Sequence, residues 1–264
     1  MRSEDFDTTV AHPARRYNYW LGGKDNFAAD RASGDAVEAA MPTIRLMAVE
    51  NRRFLGRAAR FIAEQGISQF LDIGTGIPAP GNTHEVVQAV DPTATIVYAD
   101  NDPIVLSHAR ALLTSTMPRT VAYLDADLRD PQAILKHPDL RSTLDLGRPV
   151  GLLLIAVLHF IRDDEDPHGV VGTLLGALPS GSYLAATHST WEYAPAEAVV
   201  KLSAANTDGR FAPRTGVEFT ALFDGVELVE PGLVSVAHWR AGEESQPRPS
   251  VEDVSCNGFV ARIP

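Results

Sequence analysis

Phe70-Leu71-Asp72-Ile73-Gly74-Thr75-Gly76-Ile77-Pro78 decides the fold. A short apolar run ends in an acid and then in two glycines spaced i, i+2. This pattern predicts a buried parallel strand that runs into a tight turn, where a ligand can approach the backbone. Downstream, Ala94-Thr95-Ile96-Val97-Tyr98-Ala99 predicts a second strand, closed by Asp100-Asn101-Asp102-Pro103. An acid at the end of a second strand can bind both hydroxyls of a ribose. Strand, glycine turn, helix, strand and acid together form an adenosine-binding βαβ unit.

Two ligands compete for such a unit. A dinucleotide site needs a third glycine opening the helix and an acid ~20 residues further on. Here position 79 is Ala and the interval from Gly74 to Asp100 is longer. Asp72, placed before the glycines, would repel a pyrophosphate. S-adenosylmethionine carries an ammonium, a sulfonium, a carboxylate and a ribose, so acids around the turn suit it. The acids favour the methyl donor, with a nicotinamide dinucleotide as the alternative.

Working outward, residues 43–65 predict a helix with Met47, Phe54, Ala58, Phe61 and Ile62 on one stripe, stopped by Gly66. Asp102-Pro103 reads as N-cap and first helical residue of a helix over 103–116. Strands are expected at 68–73, 121–128, 150–158 and 182–187, with short helices at 83–89, after Pro131, and at 169–178, 195–206 and 215–223. Leu233 to Trp239 and Gly258 to Ile263 predict two final strands paired as a hairpin, joined by a mobile loop over 240–257. Alternating strands and helices imply a doubly wound, mostly parallel α/β sheet of seven strands ending in a C-terminal antiparallel hairpin.

The chain of 264 residues is long enough for one large domain without metal or disulfide staples. Its single cysteine, Cys256, excludes an internal disulfide and a multi-Cys metal site. A net charge of −11 argues against nucleic acid as a partner, which needs a basic face. No run reaches the ~20 apolar residues of a membrane span, and Met1 to Asp7 lacks a signal-peptide core, so a cytoplasmic location is expected. The histidines show no metal-ligand spacing, so no metal is expected.

Before the first strand, aromatics and cations crowd around a Gly-Gly pair in Arg15-Arg16-Tyr17-Asn18-Tyr19-Trp20-Leu21-Gly22-Gly23-Lys24-Asp25-Asn26. With Asp72 to Gly76, Asp100 to Pro103, Leu158-His159 and Glu230 to Leu233 before Trp239, these residues carry a resemblance over nearly the whole chain. The chain resembles the class I S-adenosylmethionine-dependent methyltransferases. It is similar, more narrowly, to a largely uncharacterised bacterial family marked by that N-terminal motif. The sequence departs from the wider superfamily at Pro78, where a third glycine is common.

The resemblance implies a Rossmann-like methyltransferase domain over residues 43–264, preceded by a helical lid or cap over residues 1–42. It implies S-adenosylmethionine as cofactor and a small-molecule acceptor methylated on oxygen or nitrogen. Gly74 and Gly76 would meet the methionine end and Asp72 its ammonium. Asp100 would take the ribose, with Asn101 flanking the adenine. Asp127 and the backbone of Leu128 would read the adenine, and Ala156 would line the floor. From the residues of the segment itself, Arg16 to Asn26 are expected either to lie over the donor, with Tyr17, Tyr19 or Trp20 near the sulfonium, or to bind the donor carboxylate or an acidic acceptor through Lys24 or Arg16. His159, directly after the fourth strand, would deprotonate or orient the acceptor. Two other functions remain open at this point: a non-catalytic donor-binding regulatory protein, and a nicotinamide oxidoreductase.

Overall fold

A computed structural model of the chain describes residues 7–113, 120–206 and 209–264, with backbone only for 109–113. Its first four strands, β1 (Gln69–Ile73), β2 (Thr95–Asp100), β3 (Val121–Asp125) and β4 (Gly151–Leu154), are parallel, and so is β5 (Tyr183–Ser189). Their order is β3-β2-β1-β4-β5, so the chain runs outward from β1 to one edge and then crosses to the other. The sheet continues with β8 (Cys256–Arg262), antiparallel to β5 from Tyr183↔Arg262 to Ser189↔Cys256.

β1 and β4 are buried along their whole length, β2 and β5 at all but their first residues, and alternate residues feed two cores. Leu71, Ile73, Val97, Leu152 and Leu154 point to one face, toward α6 (Pro131–Lys136), α7 (Pro138–Thr143), α8 (Pro167–Leu175) and α10 (Gly216–Thr220). Phe70, Ile96, Tyr98 and Leu153 point to the other, beneath α3 (Ile44–Glu64). Phe54, Ala58 and Ile62 of α3 are fully buried there, as the helical stripe predicts. Gly66, at φ 87°, ends the helix in the left-handed conformation.

Several expectations shift. Among the described residues the sheet has eight strands, not seven. The expected strand from Leu233 to Trp239 keeps only Val234–Ser235 as β7, and Glu227–Leu228 forms a separate β6, both antiparallel to β8. The turn at Pro231-Gly232, with Gly232 at φ 80°, interrupts the pairing between them. β4 ends at Leu154 rather than at 158, because Ala156 adopts φ 54° and the chain then coils into a 3₁₀ turn over Leu158–Phe160. The segment 240–257 is tied down instead of loose. Arg248 donates to the Ala237 carbonyl at 2.9 Å and pairs with the buried carboxylate of Glu50 on α3, and Val251–Val254 forms α11. The last residues expected in the helix from Pro103 fall outside the described ones; α5 is described over Pro103–Leu113.

Residues 13–40 form two helices, α1 (Pro13–Trp20) and α2 (Ala28–Ala40). α1 packs on α2 and α3, and α2 reaches α9 (Ala196–Ala205), beyond β5. The carboxylate of Asp30, fully buried, accepts from the backbone N–H groups of His12 and Phe27, each at 2.8 Å. Tyr17 donates its hydroxyl to the Ala48 carbonyl of α3 at 2.8 Å.

Candidate active site

The ends of β1, β2, β3 and β4 open into one cavity of about 240 Å³. Gly74, at φ 76°, turns the chain out of β1, and its N–H donates to the Ala99 carbonyl at 2.8 Å. A side chain is barred at Gly74, since a Cβ there would lie 2.5 Å from Val157 Cγ2. Glycine therefore serves both the backbone angle and the approach of the β4 turn. Gly76 donates its N–H to Asp100 Oδ2 at 2.8 Å, which ties the glycine turn to the acid of β2.

Asp100 is buried, and its second oxygen accepts from the Asp102 N–H at 2.9 Å. Burial raises its pKa against those hydrogen bonds. Asp102 caps α5 through the Ile104 N–H at 2.9 Å. It also meets His12 Nδ1 at 2.9 Å and Arg15 Nε at 3.3 Å, and Arg15 lies 3.7 Å from Asp30. The N-terminal helices are thus joined by charge to the residue two positions past the candidate ribose acid.

Asp127 accepts from Asn101 Nδ2 at 2.8 Å and from the Arg129 N–H at 2.9 Å. Burial opposes its ionisation, but these bonds and the Arg129 charge outweigh burial and lower its pKa. Asp127 is not the cap of α6; Asp130 fills that role through the Ala133 N–H at 2.9 Å. Leu128 and Ala156 also line the cavity, Ala156 from the turn rather than from the strand.

Asp72 is buried and accepts from Thr83 Oγ1 at 2.6 Å. Burial pushes its pKa up to about 6. The native state therefore keeps a proton that the unfolded chain releases near 3.8, so stability falls as pH rises from 3.8 to about 6 and is regained as Asp72 is reprotonated on the way back. Asp72→Asn is expected to stabilise the ligand-free protein at neutral pH by about 2–3 kcal/mol, on the scale of 1.36 kcal/mol per pKa unit, while weakening methyl-donor binding. Thermal melts with and without S-adenosylhomocysteine check this. A variant that melts no later than the parent, or that binds the ligand as well, contradicts it.

The other side of the cavity is mainly apolar and aromatic, with Arg16 and Arg210 as its charged members. Met41, Ile44 and Met47 contribute to it, with Phe160, Trp191, Leu202 and Phe211. Phe211 stacks on Trp191 at a centroid distance of 5.8 Å and tilts against His159 at 5.0 Å. His159 is buried at the cavity wall, and its Nδ1 has no hydrogen-bond partner among the described residues. Burial, and then His188, Arg16 and Arg214, hold its pKa well below the ordinary imidazole range. These surroundings favour the neutral imidazole.

Two expected residues are not brought to this cavity. Tyr19 donates its hydroxyl to Asp35 at 2.8 Å, beneath the Arg45 guanidinium, and Lys24 is exposed. Successive helical residues point in different directions, and it is Arg16, Tyr17 and Trp20 of α1 that line the cavity. His188 and Arg214 were missed by sequence reasoning. His188 donates Nδ1–H to the Ser189 carbonyl at 2.7 Å and accepts from Arg214 Nη1 at 3.2 Å on Nε2. Arg214 also donates to the carbonyls of Leu158 at 3.2 Å and Ile161 at 2.8 Å. No spacing signals this bracket, because its members come from three separate elements. Among the described residues no group of three or more metal-ligating side chains comes together, and no helix is long and apolar enough to cross a membrane.

A sheet wound β3-β2-β1-β4-β5, closed by an antiparallel strand and opening at a glycine turn between two acids, defines a Rossmann-like methyltransferase. The family model described as S-adenosyl methyltransferase matches residues 1–264, and the chain belongs to that family. It is 46% identical to a DUF574 family protein from Streptomyces avermitilis MA-4680, over 98% of this chain and 99% of that one, with a TM-score of 0.89. It is 41% identical to a protein from Thermobifida fusca YX classed with the methyltransferases, over 97% and 96% of the two chains, with a TM-score of 0.90. The N-methyltransferase NodS from Bradyrhizobium japonicum WM9, solved with S-adenosyl-L-homocysteine, shares the fold at 13% identity, with 84% and 98% coverage and a TM-score of 0.50. A search of curated proteins gives no match. The protein is thus an S-adenosylmethionine-dependent methyltransferase, with S-adenosylmethionine as its cofactor.

Proposed function

We propose that the enzyme transfers the methyl group to an oxygen or nitrogen of a small-molecule acceptor in the cytoplasm, without a nucleic-acid partner. The observation that carries this reading is the cavity itself: three carboxylates on one side, apolar and aromatic walls on the other. The donor set fits the methyl donor chemically. Asp100 offers a buried carboxylate to the ribose, and Asn101, Asp127 and the Leu128 backbone frame the adenine. Gly74 and Gly76 leave the backbone open to the methionine end, and Asp72 faces its ammonium. The donor supplies an electrophilic methyl group, and the protein holds acceptor and methyl in line. Such positioning lowers a barrier by roughly 7–11 kcal/mol in the best cases.

Residues 1–42 act in this reading as a cap that completes the same site, and residues 43–264 as the domain that carries it. The net charge of −11 supports a small acceptor over a nucleic acid. In calorimetry, S-adenosylmethionine and S-adenosylhomocysteine are expected to bind and NAD is not. Screening of acceptor libraries for S-adenosylhomocysteine release is expected to find turnover on a small molecule. Tight NAD binding would restore the oxidoreductase, and donor binding without turnover on any acceptor would favour a regulatory protein.

A further inference from the structure

The acceptor side of the cavity is more selective than a generic apolar pocket. All three carboxylates lining the cavity, Asp72, Asp100 and Asp127, lie at the ends of β1, β2 and β3 or just beyond. The wall built after β4 and β5, from α9 and from the N-terminal helices contributes none among the described residues. Its charged members are Arg16 and Arg210. Its aromatic members form a connected group: Phe211 touches Trp191, Phe160 at 6.1 Å and His159. Beside them stands a buried imidazole with hydrogen-bonding capacity that the described protein leaves unused.

Among the described residues such a wall offers an ammonium-bearing acceptor no carboxylate, and an unpaired ammonium is costly in a low-dielectric site. A flat ring would pack against the aromatic group that Phe211 and Trp191 form. An anionic oxygen attacking a sulfonium cancels both charges, and an apolar enclosure favours that cancellation. Attack by a neutral amine only moves the positive charge.

We propose that the acceptor is a flat aromatic molecule bearing a phenolic hydroxyl, held against the stacked Phe211–Trp191 pair and methylated on that oxygen, with His159 hydrogen-bonded to it. This inference rests on the methyltransferase reading of the site. The phenolic O–H gives its proton to solvent, and the oxygen then forms the new C–O bond. The C–S bond breaks as its electron pair returns to sulfur, leaving a neutral thioether and an aryl methyl ether. His159 orients the oxygen and does not store the proton, because burial, with His188, Arg16 and Arg214 around it, leaves it weakly basic.

The test uses the full chain saturated with S-adenosylhomocysteine and three probes of similar size: 2-naphthol, 2-naphthylmethylamine and decahydro-2-naphthol. Calorimetry is expected to rank 2-naphthol at least about tenfold tighter than the ammonium probe and the saturated alcohol, since desolvation of an unpaired charge and loss of stacking each reach that size. With S-adenosylmethionine, the expected product is 2-methoxynaphthalene. Phe211→Ala is expected to weaken 2-naphthol about tenfold and leave S-adenosylhomocysteine affinity within about twofold. Should that variant not fold, Trp191→Ala serves the same comparison. His159→Gln, which keeps a hydrogen bond without a base, is expected to retain much of the turnover that His159→Ala loses. An ammonium probe that binds as tightly as 2-naphthol, a folded Phe211→Ala protein with unchanged naphthol affinity, or saturating 2-naphthol that yields no ether would each overturn the proposal. Failure of S-adenosylhomocysteine itself to bind would instead sink the underlying reading of the site.

Discussion

Asp100→Ala is expected to weaken S-adenosylhomocysteine binding about 10- to 150-fold. A hydrogen bond to a charged group is worth roughly 1.5–3 kcal/mol, and each 1.4 kcal/mol is tenfold in affinity. In the protein, Asp100 does two things at once: it accepts the Gly76 N–H at 2.8 Å, and its buried carboxylate lines the cavity. Its removal both takes the ribose partner away and releases the glycine turn. Asp100→Asn separates the effects, because an amide oxygen can still accept the Gly76 N–H while the charge is gone. Isothermal titration of the two folded variants checks the prediction. Unchanged affinity in Asp100→Ala would remove Asp100 from the donor site.

The second large effect is expected at Arg214. Its guanidinium is buried and holds the carbonyls of Leu158 and Ile161 together with His188 Nε2. Arg214→Ala would strand these acceptors in the interior, and losing such a bracket costs about 3–5 kcal/mol. Its further bond to Asp163 is discounted, because that carboxylate is exposed and solvent screens it. Urea unfolding is expected to show the loss. Arg214→Lys is expected to recover only part of it, since an ammonium cannot reach all these acceptors in one plane. His159 sits on the bracketed turn, so turnover is expected to fall further than donor affinity in the lysine variant. A lysine variant with parental stability and turnover would make the bracket incidental.

The parallel half of this fold was readable from the chain. Phe70 to Ile73 and Ile96 to Ala99 lie in strands because their runs are apolar but for Asp72, and such a run has few other places to go. The donor-side residues follow from strand ends, and the structure brings Asp72, Gly74, Gly76, Asp100, Asn101, Asp127, Leu128 and Ala156 to one cavity. What hydropathy does not encode is pairing between polar groups distant in sequence. Residues 240–257 look like a loose loop because their anchors, Glu50 and Arg57, lie on α3. The Arg214 bracket was hidden for the same reason. At α1 the composition pointed to a ligand-facing helix, but choosing Tyr17 over Tyr19 needs the helix's rotation, which is fixed by the Tyr17 bond to Ala48.

The contact between α2 and α9 brings together two stretches that lie on opposite sides of most of the parallel sheet in the sequence. The acids and glycines on the donor side belong to neither stretch. Within such a plan, the choice of acceptor can drift over generations by changes in the first 40 residues or in those around 191–211, while the methyl-donor half stays as it is. Exchanging these two stretches together between related enzymes is then a natural unit of engineering. Exchanging either one alone would leave half a pocket facing a stranger.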